Sequence, residues 1–272
     1  MRIFLLLSIF VFSLWAKVFV AVSILPQKFF VNKIGKDLVD VTVMVPPGAS
    51  PAVYSVKPSQ LKALKKAKIY FAIGVPFEKA WLDKFISVNP SIKIVDTSSI
   101  IKKFPMNEKG KGNLDPHIWL SPPLVILQAR VILDSLISID PKNRDTFIKN
   151  YEKFVCEIAS LDVKIMNILK DIKKREFIVF HPSFGYFARS YALRQIAIER
   201  EGKEPSAKYI QRIIKIAKEL KIKRIFVEPQ FPKRSAKYIA SKIKGEVVVI
   251  DPLNEKWDEN LLKIARALGN SD

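Results

Sequence analysis

The stretch PKNRDTFIKNYEKFVCEIASLDVKIMNILKDI, residues 141–172, decides the architecture. In it Phe147, Tyr151, Phe154, Ile158, Leu161, Ile165, Ile168 and Ile172 follow at steps of 4, 3, 4, 3, 4, 3 and 4. Steps of three and four return to one side of an α-helix, so this is a single apolar stripe on one helix. Pro141 suits its first turn. About 30 residues make a rod of roughly 45 Å at 1.5 Å per residue. A rod that long does not fit inside one small α/β domain. It reads as a rigid helix along the back of two lobes, binding them together. A dimerising coiled coil is the alternative, but the stripe falls short of four full heptads. The only cysteine, Cys156, lies inside this helical pattern and reads as a small buried residue. One cysteine excludes an intramolecular disulfide.

On either side of the rod, strand-like apolar runs alternate with helical ones. Before it come VFVAVSIL (18–25), VDVTVMV (39–45), KIYFAIG (68–74) and IKIVD (92–96). After it come EFIVFH (176–181), LRQIAIE (193–199), KRIFVE (223–228) and EVVVID (246–251). Strands this apolar, separated by helix-length segments, belong in parallel sheets covered on both faces. The predicted fold is α/β: two lobes with parallel sheets covered by helices, joined by one long backbone helix. The expected boundaries are an N-terminal lobe over 17–120, a connecting region over 121–174 and a C-terminal lobe over 175–272. Residues 104–114 (FPMNEKGKGNL) form the most loop-like segment, with Gly110 and Gly112 breaking any helix.

Met1-Arg2 is followed by IFLLLSIFVFSLWA, ending at Ala16. A short positive start, an apolar run and a small residue are the parts of a secretory signal, so residues 1–16 are expected to be removed on export. A transmembrane anchor needs about 20 apolar residues. Cys156 is far from this segment, so there is no lipidation site beside it. The predicted location is the periplasm, as a protein that is not a lipoprotein. The hydrophobic fraction of 49% can build a real core, and a mean hydropathy of +0.11 excludes a polytopic membrane protein.

The net charge of +20 invites a nucleic-acid reading. Residues 206–221 argue against it. Ile210, Ile213, Ile214, Ala217 and Leu220 form an apolar face there, with Lys208, Arg212, Lys215 and Lys218 on the other side. The charge reads largely as solvated faces of amphipathic helices, leaving only a weak attraction to anionic membranes beside it. No basic-aromatic cluster of the single-strand-binding kind occurs.

Chemistry-bearing residues are few. There are two histidines: His117 in LDPHIWLSPP, before a helical run from Pro122, and His181 at the end of EFIVFH. Asp251 ends EVVVID, and Glu228 ends the strand in FVEPQF. In open parallel sheets, ligands bind at the carboxyl ends of strands. Two imidazoles and a carboxylate suit Zn²⁺ or Mn²⁺. A lone histidine is more often a hydrogen-bonded structural residue, and Glu228 reads first as a carboxylate that holds neighbouring groups, with direct ligation second. There is no GxSxG, P-loop, GxGxxG after a strand, or HExxH, so no enzyme is expected.

Further motifs run over almost the whole chain. They are PPGASP (46–51) with Tyr54 and KPSQ (57–60), GVPFEKAWL (74–82), DPHIWLSP (115–122), HPSFGYFARSY (181–191), EGKEPSA (201–207), FVEPQF (226–231) and IDPL (250–253). Together they resemble the cluster A-I solute-binding proteins of zinc and manganese ABC transporters, the ZnuA/TroA-like family. The resemblance implies a two-lobed, monomeric receptor that hands a divalent cation, zinc first and manganese second, to an ABC membrane permease as cargo. It places His117 and His181 on histidine ligand positions and Asp251 on the carboxylate position. The family's further histidine after PPGASP is Ala52 here, and the following Glu-Pro is Ser55-Val56. No histidine-rich loop occurs at 104–114. The missing ligand leaves several arrangements open: water, another donor such as Glu228, a different metal or metal complex, or no metal at all. A three-ligand zinc with open water is also the pattern of a metallohydrolase, which is the runner-up function, with an adhesin-like secreted protein as the third.

Overall fold

The computed structural model describes residues 17–106, 113–199 and 202–269. The expected signal, residues 1–16, lies outside them, as does most of the glycine-containing loop.

The first half runs β1 (Val18–Val22), α1 (Leu25–Gly35), β2 (Val39–Val43), α2 (Pro58–Leu64), β3 (Ile69–Ala72), α3 (Pro76–Val88) and β4 (Lys93–Asp96). Two helices follow, α4 (Pro122–Ile139) and α5 (Arg144–Leu169). The second half runs β5 (Glu176–Val179), α6 (Gly185–Ser190), β6 (Arg194–Ala197), α7 (Ala207–Glu219), β7 (Arg224–Val227), α8 (Arg234–Lys242), β8 (Glu246–Val249) and α9 (Trp257–Gly269).

The strands form two four-stranded parallel sheets, ordered β2-β1-β3-β4 and β6-β5-β7-β8. Central strands are buried on both faces: all of β3, then Phe177, Ile178 and Val179 of β5 and Ile225, Phe226 and Val227 of β7. Edge strands carry the polar residues, such as Asp40, Arg194 and Glu246. All eight strand runs are present, but most end before the apolar run does. Met44, Ile73 and Phe180 stay buried beyond the ladder, because burial outlasts strand pairing where the chain turns toward the carboxyl edge.

The rod is α5, 26 residues long, about 39 Å at 1.5 Å per residue. Residues Pro141–Asn143 form a 3-10 turn ahead of it, and Ile172 lies beyond its end. Phe147, Phe154, Ile158, Leu161 and Ile165 are buried, and α5 packs against α1, α4 and α9. The stripe is therefore satisfied within the chain. Cys156 is exposed, which corrects the expectation of a buried thiol. Two residues past Phe154 is about 200° around the helix, so the thiol faces away from the stripe. Helix α4 is long and apolar enough to cross a membrane, yet Val125, Ala129, Ile132 and Leu136 are buried in the core.

Aromatic side chains fix one lobe on the other. Trp257 of α9 lies 5.2 Å from Phe30 and 5.9 Å from Phe29 of α1, centroid to centroid. Phe154 of α5 lies 6.1 Å from each of these phenylalanines. One cluster thus joins the first lobe, the rod and the second lobe. Lys28 and Glu255 add an ion pair at 2.6 Å, with side chains 32% and 49% exposed. The aromatic burial dominates, because partly exposed ion pairs contribute under about 1 kcal/mol. Phe154→Ala is expected to cost about 3–5 kcal/mol in urea unfolding, against less than about 1 kcal/mol for Lys28→Ala. Similar losses in the two variants would show that the lobes are not held by this cluster.

Candidate metal centre

His117 stands just before a 3-10 turn (Ile118–Leu120) that leads toward α4. Asp115, fully buried, shapes the approach: its Oδ1 accepts from His117 N at 2.9 Å, the local turn typical of Asp before Pro. The same oxygen lies 2.6 Å from His117 Nδ1.

His181 follows β5 by two residues. Its Nδ1 lies 2.9 Å from Oε2 of Glu199, two residues past the neighbouring strand β6. Glu228 follows β7 directly, on the other side of β5. Its Oε2 accepts from His181 N at 3.2 Å and its Oε1 from Ser183 Oγ at 3.0 Å. The carboxyl ends of three adjacent strands therefore hold one histidine.

The two imidazoles face each other across the lobes, centroids 5.3 Å apart and planes at 71°. His181 stacks on Phe231 at 4.8 Å, and His117 lies 5.0 Å from Trp119. Each ring gives Nδ1 to a carboxylate, and among the described residues neither Nε2 has a hydrogen-bond partner. That is the arrangement that fixes one tautomer and presents Nε2 as a metal ligand.

Electrostatics point the same way. Asp115, Glu199 and Glu228 are all buried, and among the described residues no lysine or arginine pairs with any of them. Asp115 Oδ2 is buried with no hydrogen-bond partner among the described residues. Burial pushes the Glu228 carboxyl up to about 7, against the pull of His181 and the Ser183 bond. Buried carboxylates held by hydrogen bonds but with no lysine or arginine in ion-pair range among the described residues suit a cation.

Asp251 is half-buried. Its Oδ1 accepts from Leu253 N at 3.0 Å and Gln230 Nε2 at 3.1 Å, while Oδ2 has no hydrogen-bond partner among the described residues. Among the described residues, no three His, Cys, Asp or Glu side chains converge on one point. The structure brings His117 and His181 together and leaves Asp251 outside the pair. Both oxygens of Glu228 are committed. Ala52 is exposed in a turn, its N donating to Ser50 Oγ at 3.3 Å. Asp115 and Glu199 were missed in the sequence; position before His117 and at a strand end were their only signals.

Trp119 ties the loops of His117 and Asp251. Its Nε1 donates to Pro252 O at 2.7 Å, and its own carbonyl accepts from Trp257 Nε1 at 2.7 Å. All of these groups are buried.

Two parallel α/β lobes on one rigid helix, with paired imidazoles and buried carboxylates in the seam, define a metal-binding solute-binding protein. The chain belongs to the family described as zinc-uptake complex component A, periplasmic, which matches residues 20–268. A solved structure of ZnuA is 42% identical, with TM-score 0.90, and the match covers 94% of this chain and 99% of that one. A zinc-bound ZnuA deletion mutant gives the same identity and TM-score, covering 94% and 98%. The high-affinity zinc uptake system protein ZnuA of Bacillus subtilis is 26% identical, covering 90% of this chain and 82% of its own.

Trp119→Phe removes one buried donor and leaves Pro252 O without it, an expected cost of about 1–3 kcal/mol. Amide exchange should rise in residues 250–256 while α5 stays protected. Unchanged exchange there would mean that this bond does not hold the Asp251 loop.

Proposed function

We propose that the protein captures a divalent cation, zinc first and manganese second, in the periplasm and delivers it as cargo to the membrane permease of an ABC importer, acting as a monomer. The observation that carries this reading is the pair of imidazoles at 5.3 Å, each with Nδ1 on a buried carboxylate and, among the described residues, no partner on Nε2. His117 and His181 supply the two nitrogens. Asp251 supplies Oδ2 once its loop moves toward the pair, and water completes the set. Two nitrogens and one oxygen favour zinc over manganese, which prefers more oxygen. Glu228, with both oxygens engaged, holds the His181 loop instead of ligating.

Capture suits this site better than hydrolysis. Glu228 was the one evident base for a metal-bound water, and its oxygens are occupied by His181 N and Ser183 Oγ.

His117→Ala and His181→Ala should each weaken zinc binding at least tenfold, about 1.4 kcal/mol, in calorimetry with a competing chelator at fixed pH. Asp251→Ala should weaken it as well, through loss of a ligand and of a negative charge. Unchanged affinity in both histidine variants would overturn the site.

Ala52 tests the departure from the family pattern. Tyr54 Oη donates to Gln60 Oε1 at 2.8 Å, so the loop around Ala52 retains internal order. Ala52→His is expected to displace water and tighten zinc binding about tenfold, near 1.4 kcal/mol. An unchanged or weaker affinity with the fold intact would mean that the site is rebuilt around another donor.

A further inference from the structure

Residues 203–246 carry thirteen Lys and Arg against four Glu, a net of +9 out of +20 in 44 residues. Six of the thirteen cations share one face of the fold. On β5 and the residue after it, Ile178 and Phe180 point to one side of the second sheet, and Phe177 and Val179 to the other. The side of Phe177 faces the core shared with α5 and α9. The opposite side is covered by Ile213, Ile214 and Ala217 of α7 and Ala236, Ile239 and Ala240 of α8. Helices α7 and α8 pack on each other, so together they form the outermost layer of the second lobe.

The outward side of that layer is cationic. Lys208, Arg212, Lys215 and Lys218 of α7 and Arg234 and Lys237 of α8 are all exposed. Of these six, only Lys215 has a carboxylate within ion-pair range among the described residues, Glu219 at 3.9 Å. Of the four Glu, Glu228 is buried and Glu246 is bound to Arg224 at 2.7 Å. The face is two helices wide, and it offers no stacking ladder: its exposed tyrosine, Tyr238, has Lys242 Nζ over the ring at 5.3 Å.

We infer that the α7–α8 face docks the protein on the anionic phospholipid headgroups of a membrane. A broad cationic face without a groove matches a planar array of negative charge, not one small anion or a single strand. Each Lys or Arg held near such a surface adds attraction that decays over a Debye length, about 8 Å at physiological salt. Docking by this face leaves the seam between the lobes uncovered, since α7 and α8 lie on the sheet side away from α5 and α9. It would confine a cargo carrier to the surface where a membrane permease sits. The inference does not depend on the metal ligands assigned above.

Co-sedimentation of the exported protein with phosphatidylcholine vesicles holding about 30 mol% phosphatidylglycerol tests it, at about 50 and about 200 mM salt. Binding should fall at least about tenfold over that salt range and be absent on pure phosphatidylcholine. The triple variant Arg212→Glu, Lys215→Glu, Lys218→Glu should lose at least about tenfold. A matched triple on α5, Lys149→Glu, Lys153→Glu, Lys164→Glu, changes net charge equally and should lose less than about threefold. Zinc binding and thermal melting should be unaltered in both; if the α7 triple fails to fold, the glutamine triple replaces it. No binding to the anionic vesicles, equal losses in the two triples, or tighter retention by single-stranded oligonucleotide than by vesicles would each overturn the inference.

Discussion

The site depends on aromatic packing around α5. Phe154 meets Phe29 and Phe30 of the first lobe, and those rings meet Trp257 of the second. Without that cluster, nothing in either sheet would bring His117 and His181 to 5.3 Å, because the two histidines belong to different lobes. A rod of 26 residues packed along its length does not bend cheaply. The motion available to load and unload an ion is therefore local: loops at the carboxyl ends of the strands, not a wide hinge. The loop that carries Asp251 is such a segment, tied to the first half of the chain just after the carboxylate, by Trp119 at Pro252 and Lys28 at Glu255.

The fold was readable because its signals are redundant. Eight apolar runs and a stripe at alternating steps of three and four report burial directly, and burial is what the sheets and α5 require. Strand ends were less readable. Phe180 is as apolar as Val179 and just as buried, though it lies outside the strand. Hydropathy reports burial and is blind to where the ladder stops. Cys156 shows the converse limit: a small apolar residue inside a buried helix gives no sign of its side unless its angle from the stripe is counted.

The site was half readable, for a different reason. Two histidines in 272 residues are conspicuous, but 26 acids are not. Nothing local marks Glu199 as the partner of His181, since that contact follows from the adjacency of β5 and β6 in the sheet. Asp115 is closer to legible, because an aspartate two residues before His117 can reach its backbone amide. Asp251 could be placed at a strand end, yet its distance from the imidazoles is a tertiary quantity. So the sequence names donors, while the sheet order names the groups that aim them.

Charge is sorted across the molecule in a way that a net value hides. Buried carboxylates collect at the seam, where Asp115, Glu199 and Glu228 surround two imidazoles without a lysine or arginine paired to them among the described residues. Cations collect on the outer layer of the second lobe. Three carboxylates buried beside two imidazoles, with no lysine or arginine in ion-pair range among the described residues, leave room for a further positive charge. A divalent ion held between the imidazoles would be attracted by those carboxylates as well as by its ligands. A carrier must also let go. In the arrangement proposed above, two nitrogen donors, one loop-borne oxygen and Ala52 in place of a further imidazole would make an open coordination shell. An open shell of that kind would exchange its ion by moving one short loop.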